Sequence, residues 1–252
     1  MSIAESSLAE FSALGYARGI RVADRPQAER YRRLFDEVEA REGKAKCQAG
    51  LFDPHFSLQF VWELATHPVI LDCVEAIIGP NILLMASHFF CKYGPSEAFV
   101  APHQDVTYWG LDPPLAVSAW YAVDDSSVEN GCMQVIPRTH RSGIRAHGKS
   151  SAAGANLLSV NQEVSVSDEE LRRAVDLEIE AGQISLHDGL TIHGSPPNRS
   201  TRRRCGLAMI YLPTHIKQAG QNSLGTRWAA VLVRGQNREG NFADVPAPFP
   251  LA

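Results

Sequence analysis

His103, Gln104 and Asp105 form an H-x-D directly after Pro102. In an extended chain residues i and i+2 point to the same side, so the imidazole and the carboxylate converge on one point, which is metal-ligand geometry. Alone the pattern carries little weight, because nine histidines and 28 acidic residues in 252 positions produce about one H-x-[DE] by chance. A second segment adds weight: it runs from His193 through Gly194, Ser195 and Asn198 to Arg204. A distant histidine added to H-x-D completes a two-histidine, one-carboxylate face that leaves three coordination positions open, the arrangement associated with oxygen activation at non-haem Fe(II). Arg204, eleven residues beyond His193 and on the next predicted strand, offers a planar guanidinium fork suited to a dicarboxylate cosubstrate. The same three ligands would also suit a zinc hydrolase, a reading that gives Arg204 and Ser195 no role.

The elements that must position these groups are of two kinds. Residues 1–80 read as mainly helical: Asp24 is an N-cap, Pro26 sits in the first turn, and Ala28, Tyr31, Leu34, Phe35 and Val38 recur at helical spacing. A second helical tract covers about 58–78 and stops at Gly79-Pro80. From 81 to 235 the pattern changes to short β-like runs at 82–93, 116–123, 133–136, 177–179, 184–186 and 206–212, separated by turn residues. Few crossover-length helices lie between them, which favours an antiparallel sandwich or small barrel over a doubly wound parallel sheet. Residues 138–176 read as a long polar insertion with one short helix at 168–175, a segment expected to cover the site as a lid that orders when substrate binds. The tail 236–252, with Pro246, Pro248 and Pro250, is expected to be extended and docked, and the whole chain 1–252 to form one domain.

Composition narrows the function. The chain is 44% hydrophobic and 21% charged with a net charge of −4, which excludes an unfolded chain and gives no basic excess for nucleic acid. No run of 18 apolar residues occurs, and the N-terminus lacks the basic and apolar stretches of a signal peptide, so the expectation is a cytoplasmic protein without membrane contact. Cys47, Cys73, Cys91, Cys132 and Cys205 are scattered and contain no C-x-x-C, so they are expected to be buried thiols rather than zinc ligands.

Taken together, the motifs resemble the phytanoyl-CoA dioxygenase family of Fe(II)/2-oxoglutarate oxygenases over about residues 8–235. The resemblance rests on His103-Gln104-Asp105, Ala119-Trp120-Tyr121-Ala122-Val123-Asp124-Asp125, Glu129-Asn130-Gly131-Cys132-Met133, Ile136-Pro137-Arg138-Thr139-His140-Arg141-Ser142-Gly143 and the run from His193 to Arg204. It implies a mainly β fold with flanking α, a double-stranded β-helix (jelly-roll) core carrying N-terminal helices. It also implies His103, Asp105 and His193 as iron ligands, Arg204 and Ser195 as the clamp on the distal carboxylate of 2-oxoglutarate, and Lys92 facing the cosubstrate pocket. The implied reaction consumes O2 and 2-oxoglutarate and hydroxylates an unactivated C–H bond of a small molecule. Desaturation or ring formation are related outcomes, and halogenation is disfavoured because Asp105 fills the position a halide would need. A non-catalytic ligand sensor on the same core is the competing class.

Around the site, Tyr108 and Trp109 are read as lining the pocket mouth or packing at a strand end, and Arg138-Thr139 stands where the family usually has Gly-Ser before the histidine, which makes Arg138 a specificity candidate. Asn161 and Gln162, inside the insertion, are candidate substrate contacts. His187 is the weaker rival of His193 because no Gly-Ser-x-x-Asn run follows it, and it reads as a supporting or core residue. His140 reads as a turn histidine, while His55, His67, His147 and His215 have no motif around them. Arg202 and Arg203 read as solvated charges.

Overall fold

Asp24 caps its helix as expected: its carboxylate accepts from the Gln27 backbone while the Gln27 side chain accepts from the Asp24 N–H. The computed structural model describes residues 3–151, 154–220 and 227–250, without the side chains of 3–7, 108 and 244. Its helices are α1 (Ile3–Leu14), α2 (Arg25–Glu42), α3 (Lys44–Ala49), α4 (Gln59–Ala65), α5 (Pro68–Ile78) and α6 (Asp168–Leu171). The tract expected to be one helix over 58–78 is two. Pro68 has no N–H to donate and its ring crowds the preceding turn, so His67 turns extended (ψ 129°) and caps α5 by accepting from the Val69 N–H.

The strands are β1 (Tyr16–Arg21), β2 (Ile82–Lys92), β3 (Val100–His103), β4 (Leu111–Asp112) and β5 (Val117–Ala122). They continue with β6 (Met133–Val135), β7 (His147–Lys149), β8 (Gln162–Val164), β9 (Val175–Leu177) and β10 (Gln183–Asp188). The last five are β11 (His193–Ser195), β12 (Arg204–Pro213), β13 (Lys217–Gln218), β14 (Ala230–Arg234) and β15 (Asp244–Val245). A seven-stranded sheet has the order β1-β10-β5-β12-β2-β14-β15 and faces a four-stranded sheet ordered β3-β11-β6-β9. All pairings are antiparallel except β14 with β15. This is the expected jelly-roll, and among the strands outside the expected runs β1 lies inside the region read as helical and forms the edge of the large sheet against β10.

Period-two alternation divides the large sheet into two faces. Phe89, Cys91, Leu207, Met209 and Tyr211 pack under the helices against Phe35, Trp62 and Val74. Their neighbours in sequence, Ala86, His88, Phe90, Arg204, Ala208 and Ile210, face the space between the sheets. Arg203 corrects the reading of a solvated charge. It is 14% exposed, its guanidinium bonds Asp36, Glu39 and Asp124 at 2.7, 3.1 and 2.8 Å, and it stacks over Phe35, so it fastens α2 to the start of β12. Arg202 is exposed, as read.

The insertion is not featureless. β7 and β8 form a hairpin, and α6 ends at Leu171 under a Ser167/Glu170 capping box, shorter than the helix expected at 168–175 because β9 begins at Val175. Backbone bonds join Phe99 to Ala155 and Leu157, and Asn156 Oδ1 accepts from the Ala101 N–H. Polar pinning therefore adds to a small apolar anchor, in which Val164 is buried with Ile136 and Ile192. The tail docks as expected: Phe242 is buried, β15 pairs with β14, and Trp62 donates to the Pro250 carbonyl. All five cysteines are buried free thiols. No helix among the described residues is long and apolar enough to cross a membrane.

Candidate metal and cosubstrate site

β3 and β11 pair so that His193 lies opposite His103. Gly194 is required by this pairing, since a Cβ there would lie 2.8 Å from the Val100 carbonyl. Each imidazole has Nδ1 against a backbone carbonyl, His103 to Ala101 at 2.9 Å and His193 to Thr191 at 3.0 Å. A carbonyl only accepts, so Nδ1 carries the proton and Nε2 presents its lone pair inward. Both Nε2 atoms turn toward Asp105 Oδ1, at 3.3 and 3.7 Å, and the ligand atoms of His103, Asp105 and His193 all lie within 4.8 Å of one another.

The charge states suit a cation. Burial raises the Asp105 carboxyl, but His193, His103 and His187 outweigh it and hold the group well below the usual carboxylate range. Burial and the neighbouring imidazoles of His103 and His187 hold His193 well below its usual value, hence neutral. The donor set is thus two imidazoles with Nε2 turned inward and one carboxylate on one face, which fits a divalent iron ion.

His187 resolves as a supporting group. Its Nε2 lies 3.1 Å from Asp105 Oδ2, which also accepts from Ser118 Oγ at 2.7 Å, leaving Oδ1 for the metal. His187→Leu is expected to weaken Fe(II) binding by about 10- to 100-fold, with His187→Gln recovering most of it through a retained donor; metal titration checks this, and an unchanged affinity in His187→Leu would remove the role. Gln104, between the ligands and fully buried, was not singled out from sequence. Its amide donates to the carbonyls of Gly143 and Leu190, and its oxygen accepts from the Arg145 N–H, so it ties the H-x-D to the insertion and to the approach of His193.

Arg204 stands in the cavity wall, and a second buried basic group, Lys92, lies beside it behind Ser195. Arg204 and Lys92 are register partners on β12 and β2, 2% and 0% exposed, and neither has a carboxylate partner among the described residues. Lys92 Nζ donates to Ser195 Oγ at 2.6 Å and to the carbonyls of Gly131 (3.3 Å) and Pro196. Asn198, fully buried, explains the motif after His193: its Nδ2 donates to the carbonyls of Lys92 and Arg202 and so fastens this turn to the end of β2. Burial pushes the Arg204 guanidinium down to about 10, and burial with the adjacent Arg204 charge pushes Lys92 down to about 6. An incoming carboxylate restores the Lys92 charge, so 2-oxoglutarate binding at pH 7.5 is expected to take up about one proton. Calorimetry in buffers of different ionisation enthalpy measures this, and zero uptake would contradict it.

Arg204, Gly206 and Ala208 share a face, as alternation requires, but the space beside the guanidinium is taken. The Trp120 ring lies 4.4 Å from the Arg204 guanidinium, and a Cβ on Gly206 would meet that ring at 1.8 Å. Gly206→Ala is expected to displace Trp120, costing about 1–3 kcal/mol of stability by overpacking and weakening 2-oxoglutarate binding with it; denaturant unfolding and cosubstrate titration report both, and wild-type values in each would show that the ring does not position Arg204.

A cavity of about 280 Å³ between the sheets joins the metal ligands to Arg204 and Ser195. Trp109 and Gln162 line it. Arg138 does not: it is exposed in a left-handed turn (φ 70°) with its N–H bonded to the Leu14 carbonyl, outside the cavity wall, so the specificity role is withdrawn. Asn161 is not a wall residue either, as its Nδ2 donates to Ser150 inside the insertion. Tyr108 closes a 3₁₀ turn, and its side chain lies outside the described residues. His88 was missed by sequence reasoning, although its spacing of four from Lys92 along β2 places it on the same face.

A jelly-roll with two histidines and a carboxylate gathered at an open cavity defines the non-haem iron oxygenase architecture. The chain belongs to the phytanoyl-CoA dioxygenase family, whose profile matches residues 20–206. It is 33% identical over 146 residues to the human "Phytanoyl-CoA dioxygenase, peroxisomal", covering 56% of this chain and 42% of that protein, so the match spans about two-fifths of the relative's length. It is 29% identical over 161 residues to a "Probable alpha-ketoglutarate-dependent hypophosphite dioxygenase" of Stutzerimonas stutzeri, covering 63% of this chain and 55% of the relative. Among solved structures, the apo non-heme monooxygenase ThoJ superposes with a TM-score of 0.78 at 27% identity, covering 96% of this chain and 88% of that one.

Proposed function

We propose that the protein is an Fe(II)- and 2-oxoglutarate-dependent oxygenase that hydroxylates an unactivated C–H bond of a small molecule, with release of succinate and CO2. The observation that carries this reading is one cavity lined by the His103, Asp105 and His193 cluster and by buried Arg204, with Lys92 bonded to Ser195 behind the wall and no carboxylate beside either basic group among the described residues. Bound iron would supply oxygen activation coupled to oxidation of the cosubstrate. The chain's own residues bind and orient: Arg204 holds the far carboxylate through its fork, Lys92 sets Ser195 and adds positive charge, and Trp120 fixes the guanidinium plane. The apolar walls exclude water from the remaining volume, where the target carbon would sit above the metal. A zinc hydrolase leaves the two cations without purpose, and a sensor leaves the complete ligand set without purpose. Asp105 fills the place a halide would need, which favours hydroxylation. The buried free thiols suit a reducing, cytoplasmic setting.

The test is succinate formation from 2-oxoglutarate under air with Fe(II), with Zn(II) and without metal. Iron-dependent succinate is expected even before the true substrate is found, as slow uncoupled turnover. Equal or no succinate in all three, with no binding of 2-oxoglutarate, would overturn the proposal.

A further inference from the structure

Besides the metal ligands and Arg204, the cavity has walls of Phe52, Phe90, Trp109, Trp228, Leu157 and Leu158. Three neutral polar groups are set into this apolar lining. The His88 imidazole makes no side-chain hydrogen bond to another described residue and packs against the rings of Phe52 and Phe90. Gln162 is 7% exposed and its Oε1 has no partner among the described residues, and the Trp228 Nε1–H is likewise buried without an acceptor among them. Unpaired buried polar atoms cost about 1–3 kcal/mol each, and a ligand that pairs with them recovers that cost.

The charges point the same way. Among the described lining residues the one Lys or Arg is Arg204, at the cosubstrate end, so no cation is left for a phosphate, sulfate or carboxylate of the primary substrate. The outer acid is Asp53, whose carboxyl burial raises and whose Oδ1 is engaged by the Ser87 N–H. Burial, opposed by Asp105, pushes His88 down to about 4, so its imidazole is neutral at neutral pH and presents one donor and one acceptor.

We propose that the primary substrate is an uncharged molecule with a flat, largely apolar body bearing hydroxyl or amide groups, and that His88, Gln162 and Trp228 select it through neutral hydrogen bonds. This inference rests on the metal and cosubstrate reading above. It predicts rejection of anionic analogues of the same size, because an anion would be desolvated against walls with no counter-charge.

The experiment titrates the anaerobic enzyme loaded with Fe(II) and 2-oxoglutarate, by calorimetry, with 2-naphthol and with naphthalene-2-sulfonate. 2-Naphthol is expected to bind at least about 10-fold more tightly than the sulfonate, and His88→Leu and Gln162→Leu are each expected to weaken 2-naphthol about 10-fold, the scale of one lost hydrogen bond, while 2-oxoglutarate affinity stays within about twofold. The two replacements occupy different strands, so a folding defect in one, visible in its unfolding curve, leaves the other as the test. Equal or tighter sulfonate binding, no binding of 2-naphthol, or unchanged 2-naphthol affinity in the folded variants would overturn the assignment. Loss of 2-oxoglutarate binding by the wild-type protein would instead strike the cosubstrate reading itself.

Discussion

Asp105→Ala should lower Fe(II) affinity by more than about 100-fold and abolish iron-dependent turnover of 2-oxoglutarate. The expectation exceeds the 10- to 100-fold that supporting groups cost because the change removes a ligand and also the anion toward which both imidazoles turn. His187 and Ser118 would then face an empty position instead of Oδ2. The variant could at most open a place for halide. His193→Ala should behave similarly. If His193→Ala kept normal iron content while His187→Ala lost it, the distal ligand would have been misassigned. Metal content after gel filtration, measured beside far-UV spectra that establish folding, separates ligand loss from unfolding.

The second large effect is at Arg204. Arg204→Ala should weaken 2-oxoglutarate by at least about 30-fold, roughly 2 kcal/mol, because it leaves a carboxylate facing a dry wall with only Lys92 near. Arg204→Lys should recover only part, since an ammonium cannot make two parallel bonds nor stack on Trp120 as a planar group. Cosubstrate titration in the presence of iron measures both. Full affinity in Arg204→Ala would remove the clamp. Arg203 would not replace it, because that side chain is committed to Asp36, Glu39 and Asp124.

The site was legible in the sequence where chemistry and local geometry coincide. H-x-D converges in any extended segment, and the run after His193 carries its own turn logic, with Asn198 holding the turn to Lys92. The fold was legible where patterning was strong, as in β2, β5, β12 and the capped start of α2. It was not legible where long-range pairing decides the structure. His193, Gly194 and Ser195 have no strand pattern, and β11 exists because β3 and β6 flank it. β1, with two glycines close by, is a strand because it pairs with the edge of β10. Arg203 looked solvated because its three acids come from α2 and from Asp124, far away in sequence. The insertion looked loosely held because many of its anchors are backbone groups and Asn156, and its apolar anchor, Val164 against Ile136 and Ile192, joins residues far apart in sequence.

The central claim is that one metal ion and one dicarboxylate occupy the two halves of a single inner site. The most direct measurement is an anaerobic crystal structure with Fe(II) and 2-oxoglutarate, with the iron located by its anomalous signal. The account predicts iron bound by His103 Nε2, His193 Nε2 and Asp105 Oδ1, with the far carboxylate of 2-oxoglutarate on Arg204 and close to Ser195. Iron bound through His187 in place of His193, or 2-oxoglutarate lying away from Arg204, would contradict it.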